Sequence, residues 1–160
     1  MIIFLASCTE QQADLHQIAA IVEGREITLY DVWTQYKITD ENIEIYLKEE
    51  TVITEAKEND IRITDEEKTK LIEQMKWFFP FKESEFFIRQ AEAAGIAAED
   101  YYEIWITNYA VRNEHIQRWI KEMFGEPASI HEADAWGKMI EDEINELYDS
   151  YIREGKLILK

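Results

Sequence analysis

Residues 99–124 contain neither a glycine nor a proline, and Tyr102, Trp105, Ile106, Tyr109, Ile116, Ile120 and Met123 recur through them at helical spacing. At 1.5 Å per residue such a helix is about 39 Å long, more than the width of a small domain. A helix of that length with one apolar side must serve as a spine on which shorter elements pack. Gly125-Glu126-Pro127 supplies its stop.

The flanking segments carry their own start and stop signals. Ile18-Ala19-Ala20-Ile21-Val22 is β-prone, and Gly24 can take the positive φ of the tight turn that follows. Thr28 with Asp31 makes a capping box ahead of Leu29, Val32, Trp33 and Tyr36. A second helix is expected from residue 40 to about 58, with Ile43, Tyr46, Leu47, Ile53 and Ala56 inward and Asn59 as a left-handed stop. Glu50 falls on the same stripe and is expected at its edge, head group in water. Thr64 and Glu67 cap a helix bearing Leu71, Ile72, Met75 and Phe78, which Pro80 breaks. Ser84 opens a short helix with Phe87, Ile88 and Ala91, closed by Gly95. Ser129 and Glu132 form a third capping box before Trp136, Met139, Ile140, Ile144, Leu147 and Tyr151, and Gly155 ends that helix. Residues 156–160 read as a last strand whose expected partner is 18–22, because an isolated strand is not stable in water. The expected fold is all-α, about six helices, with a minor two- to three-stranded β element joining the chain ends.

Composition fits one packed domain, 18–160, behind a leader and polar tether, 1–17. Of the 160 residues 46% are hydrophobic, with only 5 glycines and 2 prolines, enough apolar surface for a core without metal or disulfide. The formal charge of −17 comes with no run of three basic residues. Phosphate backbones are held by lysine and arginine clusters, so nucleic acid is not an expected partner, and neither is an anionic lipid surface.

Cys8 is the single cysteine and follows Leu5-Ala6-Ser7. This matches the lipobox of bacterial lipoprotein signals, in which the thiol takes the lipid and becomes the new N-terminus. Met1-Ile2-Ile3-Phe4 before it is shorter than an ordinary apolar signal core and lacks a basic start. Either the true start lies upstream or the segment is a remnant of another kind. The resemblance implies a chain anchored to the cell membrane on its extracytoplasmic face, through lipidated Cys8 only.

Three further segments stand in a telling order. Ile21-Val22-Glu23-Gly24-Arg25-Glu26-Ile27-Thr28 resembles the "V-N-G-x-x-I-T" opening of SurA-like and PrsA-like chaperones, with Glu23 in place of Asn. Ala56-Lys57-Glu58-Asn59-Asp60-Ile61-Arg62-Ile63-Thr64-Asp65-Glu66-Glu67 resembles their "A-K-x-x-G-I-x-V-S-D-E-E". Ala94-Gly95-Ile96-Ala97-Ala98-Glu99-Asp100-Tyr101 is similar to the "x-G-x-S-x-E-E-F/Y" that starts their long helix, with Ala97 where a capping Ser is common. The resemblance covers roughly residues 18–124 and implies a SurA N-terminal-domain-like fold. In that family a parvulin isomerase domain usually follows the long helix. Here the chain passes directly to a final helix and strand, so no prolyl isomerase activity and no catalytic residue is expected.

The residues agree with a non-enzyme. His16, His115 and His131 lie far apart in the chain and are read as structural. No nucleophile elbow or phosphate loop occurs, and no cofactor is expected. The candidate site is instead aromatic: Trp77, Phe78, Phe79, Phe81, Phe86 and Phe87 crowd around Pro80, more than one helix face can bury. They form either a core between two short helices or an exposed groove for polypeptide. The expected function is chaperone-like holding of unfolded or extended polypeptide clients. The alternative is an acidic helical adaptor that docks one dedicated folded partner.

Overall fold

The structure, a computed structural model, describes residues 14–127 and 129–160. Cys8 and the lipobox lie outside the described residues, as does the tether up to residue 13. Among the described residues six α-helices and one three-stranded antiparallel sheet make a mainly helical protein.

β1 (Ile18–Val22) and β2 (Arg25–Thr28) form a hairpin whose two loop residues, Glu23 and Gly24, both take positive φ, 46° and 77°. That is the turn whose twist matches paired strands. β3 (Leu157–Leu159) pairs on the other side of β1, Val22 opposite Leu157 and Ala20 opposite Leu159, so the sheet order is β2-β1-β3. Both ends of the domain thus meet in one sheet, as the sequence predicted. Residues 14–17 join it: Leu29 and Tyr30 donate their backbone N–H groups to the carbonyls of Gln17 and Leu15.

Thr28 caps α1 (Leu29–Trp33) and Thr64 caps α3 (Asp65–Phe78), each closing its box with Asp31 or Glu67. α2 (Asp40–Glu58) lies between the sheet and α5 (Ala98–Phe124), and α6 (Ala133–Arg153) packs on it. α3 and α4 (Glu85–Ala94) both pack on α5, which is therefore the expected spine. Burial is divided among three clusters. Ala20, Val22, Ile27, Tyr46, Leu47, Tyr151 and Leu157 fill the space between sheet, α2 and α6. Trp33, Ala91 and Tyr101 join α1, α4 and α5, while Val52, Ala56 and Trp119 join α2 to the far end of α5.

Four local expectations are corrected. Asn59 is not left-handed (φ −86°); Asp60 is, at φ 60°. Ile61 donates its N–H to the Ala56 carbonyl at 2.9 Å and Asp60 donates to Lys57 at 3.2 Å, the Schellman arrangement, which puts the left-handed residue one position past the cap. Glu50 is buried, 3% exposed, rather than at a wet edge, because two arginines meet it. Met123 is 54% exposed; the buried line of α5 runs instead through Ile106, Ala110, His115 and Trp119, since Trp119 is what packs on α2. Ser129 offers no side-chain cap to α6: its carbonyl accepts from Glu132 N–H in a 3-10 turn, and the helix starts at Ala133.

Candidate functional site

The chain leaves α3 at Phe78, turns through Pro80, and re-enters helix at Glu85, where the Ser84 hydroxyl accepts from Phe87 N–H. This elbow lies over the first half of α5. Tyr102, 3% exposed, donates its hydroxyl to the Phe79 carbonyl at 2.6 Å and so fixes the chain as it leaves α3. Trp33 Nε1 donates to the Gln90 carbonyl at 3.0 Å, Gln90 Nε2 donates to the Tyr36 carbonyl, and Tyr101 Oη donates to the Trp33 carbonyl. Burial pushes the Tyr101 phenol up to about 12, so its hydroxyl stays protonated and able to donate.

The six predicted aromatic residues divide on this frame, and neither alternative left open by the sequence describes them all. Phe81 and Phe87 are half-buried, with Phe87 against Tyr101, Tyr102 and Trp105 at centroid distances of 6.1, 5.6 and 5.4 Å. Phe86, 41% exposed, leans on Phe87 and Tyr101. Phe79, 49% exposed, stands edge-on to Tyr109, which stacks on Trp105 at 4.9 Å. These rings form one connected bed, wet on its outer side. Trp77 and Phe78 do not join it; among the described residues their only ring contact is with each other. The bed also includes Tyr101, Tyr102, Trp105 and Tyr109 of α5, which the sequence did not assign to it. Their signal was present, since Tyr101, Tyr102, Trp105 and Tyr109 together span more than one helical face.

A second feature is charged. A cavity of about 220 Å³ opens among β2, α1, α2 and α5, lined by Arg25, Asp31, Tyr46, Glu50, Arg112 and His115. Glu50 receives Arg25 Nη2 on one oxygen and Arg112 Nη1, at 2.6 Å, on the other. Arg112 Nη2 donates to Glu49 and to the Tyr46 carbonyl, and its guanidinium lies 3.8 Å from the Tyr46 ring centroid. The charges pair with one another and orient α5 on α2, while Arg112 Nε is left buried without a hydrogen-bond partner among the described residues. His115 faces the Val111 carbonyl through Nδ1 at 3.0 Å, which places its proton there, and burial lowers its pKa.

Among the described residues no group of three or more histidines, cysteines and carboxylates gathers as a metal site would require, and no helix is long and apolar enough to cross a membrane. No protein-family model, curated protein or solved structure matches the chain significantly.

Proposed function

We propose that this protein is a non-catalytic, chaperone-like holding protein of the SurA N-terminal-domain type, tethered by a lipid on Cys8 outside the cytoplasm. The observation that carries the reading is the ring bed over α4 and α5. Phe79 and Phe86 present their rings to water on a foundation of Phe81, Phe87, Trp105 and Tyr109, so the surface is ordered before anything binds. Connected apolar surface of this kind is seldom left exposed without a partner. Aromatic rings supply large contact areas with little loss of side-chain freedom. An extended, apolar polypeptide segment can lay alternate side chains between them, and the hydrogen-bonded elbow keeps the bed from closing on itself.

The test is suppression of aggregation. The purified protein should slow aggregation of several unrelated unfolded clients near stoichiometric ratio, without speeding isomerisation of a prolyl test peptide. Phe79→Ser with Phe86→Ser should abolish most of that effect and leave the helical signal unchanged, since both rings are partly in water. Holding that survives this double substitution would refute the assignment to the ring bed. Tight binding to a single folded protein, with no holding of any client, would instead establish the acidic adaptor.

A further inference from the structure

The cavity among β2, α1, α2 and α5 has a floor of buried polar groups, Tyr46, Glu50 and His115, and exposed cations, Arg25 and Lys57, at its mouth. Its two ends differ. Near β2 and α1 the carboxylates are answered: Glu50 by Arg25 and Arg112, Asp31 by the N–H and hydroxyl of Thr28. At the other end stand Lys57 and His115. His115 is 6% exposed, and its Nε2 takes no hydrogen bond among the described residues, since only Nδ1 is engaged, by the Val111 carbonyl.

The charges that weigh on this ring are all positive, Lys57 first, then Arg118 and Lys68. Arg118 is paired with Glu67 and Glu114, and Lys68 with Asp65. Lys57 makes no ion pair among the described residues. Its chain neighbours Glu55 and Glu58 act instead on Tyr151 of α6, and Asp60 pairs with Arg62. The charged lining as a whole is Arg25, Lys57 and Arg112 against Asp31 and Glu50, three positive and two negative. Glu49, the other carboxylate on Arg112, evens that number but lines a different cavity, between α2, α5 and α6. The uncompensated charge of this cavity is therefore that of Lys57, and it stands beside a buried histidine.

We infer that the Lys57–His115 end of this cavity binds the carboxylate of a small organic acid. Lys57 supplies a full charge at the mouth. His115, on taking up a proton, donates from Nε2 while Nδ1 keeps the Val111 carbonyl. Ile53 and Val111 lie one turn back from Lys57 and His115 on their helices and give a short hydrocarbon body an apolar wall. Glu50 is two turns back along α2, about 10 Å away, and is covered by its two arginines. A space of about 220 Å³ is smaller than the roughly 300–1,000 Å³ of sites for drug-sized molecules, so the acid is a short one. Phosphate is a poorer occupant, because it brings up to about two negative charges to one uncommitted cation. Burial and the three cations hold His115 below the ordinary histidine pKa. A bound carboxylate opposes both, so binding takes up protons. The inference is independent of client holding, which uses the rings over α4 and α5.

The experiment titrates the full chain with sodium butyrate, butanol, butylamine or sodium phosphate at constant ionic strength and follows the histidine ring protons by NMR. The His115 signal is the one that survives in the variant carrying His16→Gln and His131→Gln, both exposed positions. Butyrate should shift that signal saturably and move its titration to higher pH. Its affinity should rise as pH falls from about 8 to about 6. Butanol and butylamine should do neither. Lys57→Met should weaken butyrate binding about tenfold, the worth of one charge-assisted hydrogen bond. The fold should survive that substitution because Lys57 is exposed, and far-ultraviolet dichroism will show it. The inference fails if butyrate leaves the His115 signal unmoved, if butanol moves it equally, or if phosphate binds more tightly than butyrate. It also fails if Lys57→Met binds butyrate like the parent, or if the His16 and His131 signals shift as His115 does, which marks a general salt effect.

Discussion

Glu50 shows how one side chain can be coupled to stability through unequal partners. Its carboxylate meets Arg112, whose side chain is 12% exposed, and Arg25, whose side chain is 54% exposed. Removing the buried partner strands a desolvated charge, so Arg112→Met should destabilise by about 3–5 kcal/mol in urea unfolding. Arg25→Ala should change stability by about 1 kcal/mol or less, because an exposed cation is already hydrated and screened. Equal effects of the two substitutions would show that Glu50 is not held as described. Glu67 gives a pH dependence. The Thr64 backbone N–H that it accepts, and then Arg118, hold its pKa down to about 2 from an ordinary 4.5. A carboxylate lowered on folding binds its proton more readily when unfolded. Its contribution is therefore complete above the ordinary value and is lost as pH falls from about 4.5 toward about 2. Glu67→Gln should flatten the stability curve across that window, and an unchanged slope there would contradict the capping-box assignment.

Among the elements, β3 is the shortest and carries the closure of the fold. Leu157 is 2% exposed, Glu23 N–H donates to the Lys156 carbonyl at 2.8 Å and Lys160 N–H donates to the Ala19 carbonyl at 3.0 Å. Truncation after residue 153 removes the strand, bares the edge of β1 and opens the cluster around Tyr151. The loss should be several kcal/mol, read as a fall of roughly 5–15 °C in melting temperature for a domain of this size. An unchanged melting temperature would mean that the sheet does not depend on its third strand. α5 depends on length in a different way. Its N-cap, Ala97, makes no side-chain bond, so the helix is held by what packs along it, from Tyr101 to Trp119. α3 is the converse: its start is closed by the Thr64–Glu67 capping box, and nothing in it is buried.

At the scale of the molecule, the ring bed and the Trp77–Phe78 corner both lie on the α3–α4 side, while the sheet that begins after residue 17 lies with α2 and α6. A lipid at Cys8 would tether the chain by the sheet end. If that residue is the anchor, native-start protein expressed in bacteria should partition into the membrane fraction and Cys8→Ala should release most of it. Equal distribution of the two would end the lipoprotein reading.

The start and stop signals of most elements were legible in the sequence because they act over three or four residues. Thr28 with Asp31, Thr64 with Glu67, Ser84 and Gly95 each need only their own chain neighbours. So does the Glu23–Gly24 hairpin, and the order of strands at the two ends followed from their inability to stand alone. The aromatic crowding at Pro80 was equally plain. What the sequence could not decide was which rings sank and which stayed wet, since Trp77 and Phe87 are equally apolar and differ only in what faces them. Phe87 meets Tyr101, Tyr102 and Trp105 on α5, and Trp77 meets Phe78. Glu50 is the same lesson in charge: a carboxylate on an apolar stripe can be buried when cations 25 and 62 positions away are brought to it. Local propensity fixes where an element begins and ends. Burial is decided by partners distant in the chain, and only the tertiary structure supplies them.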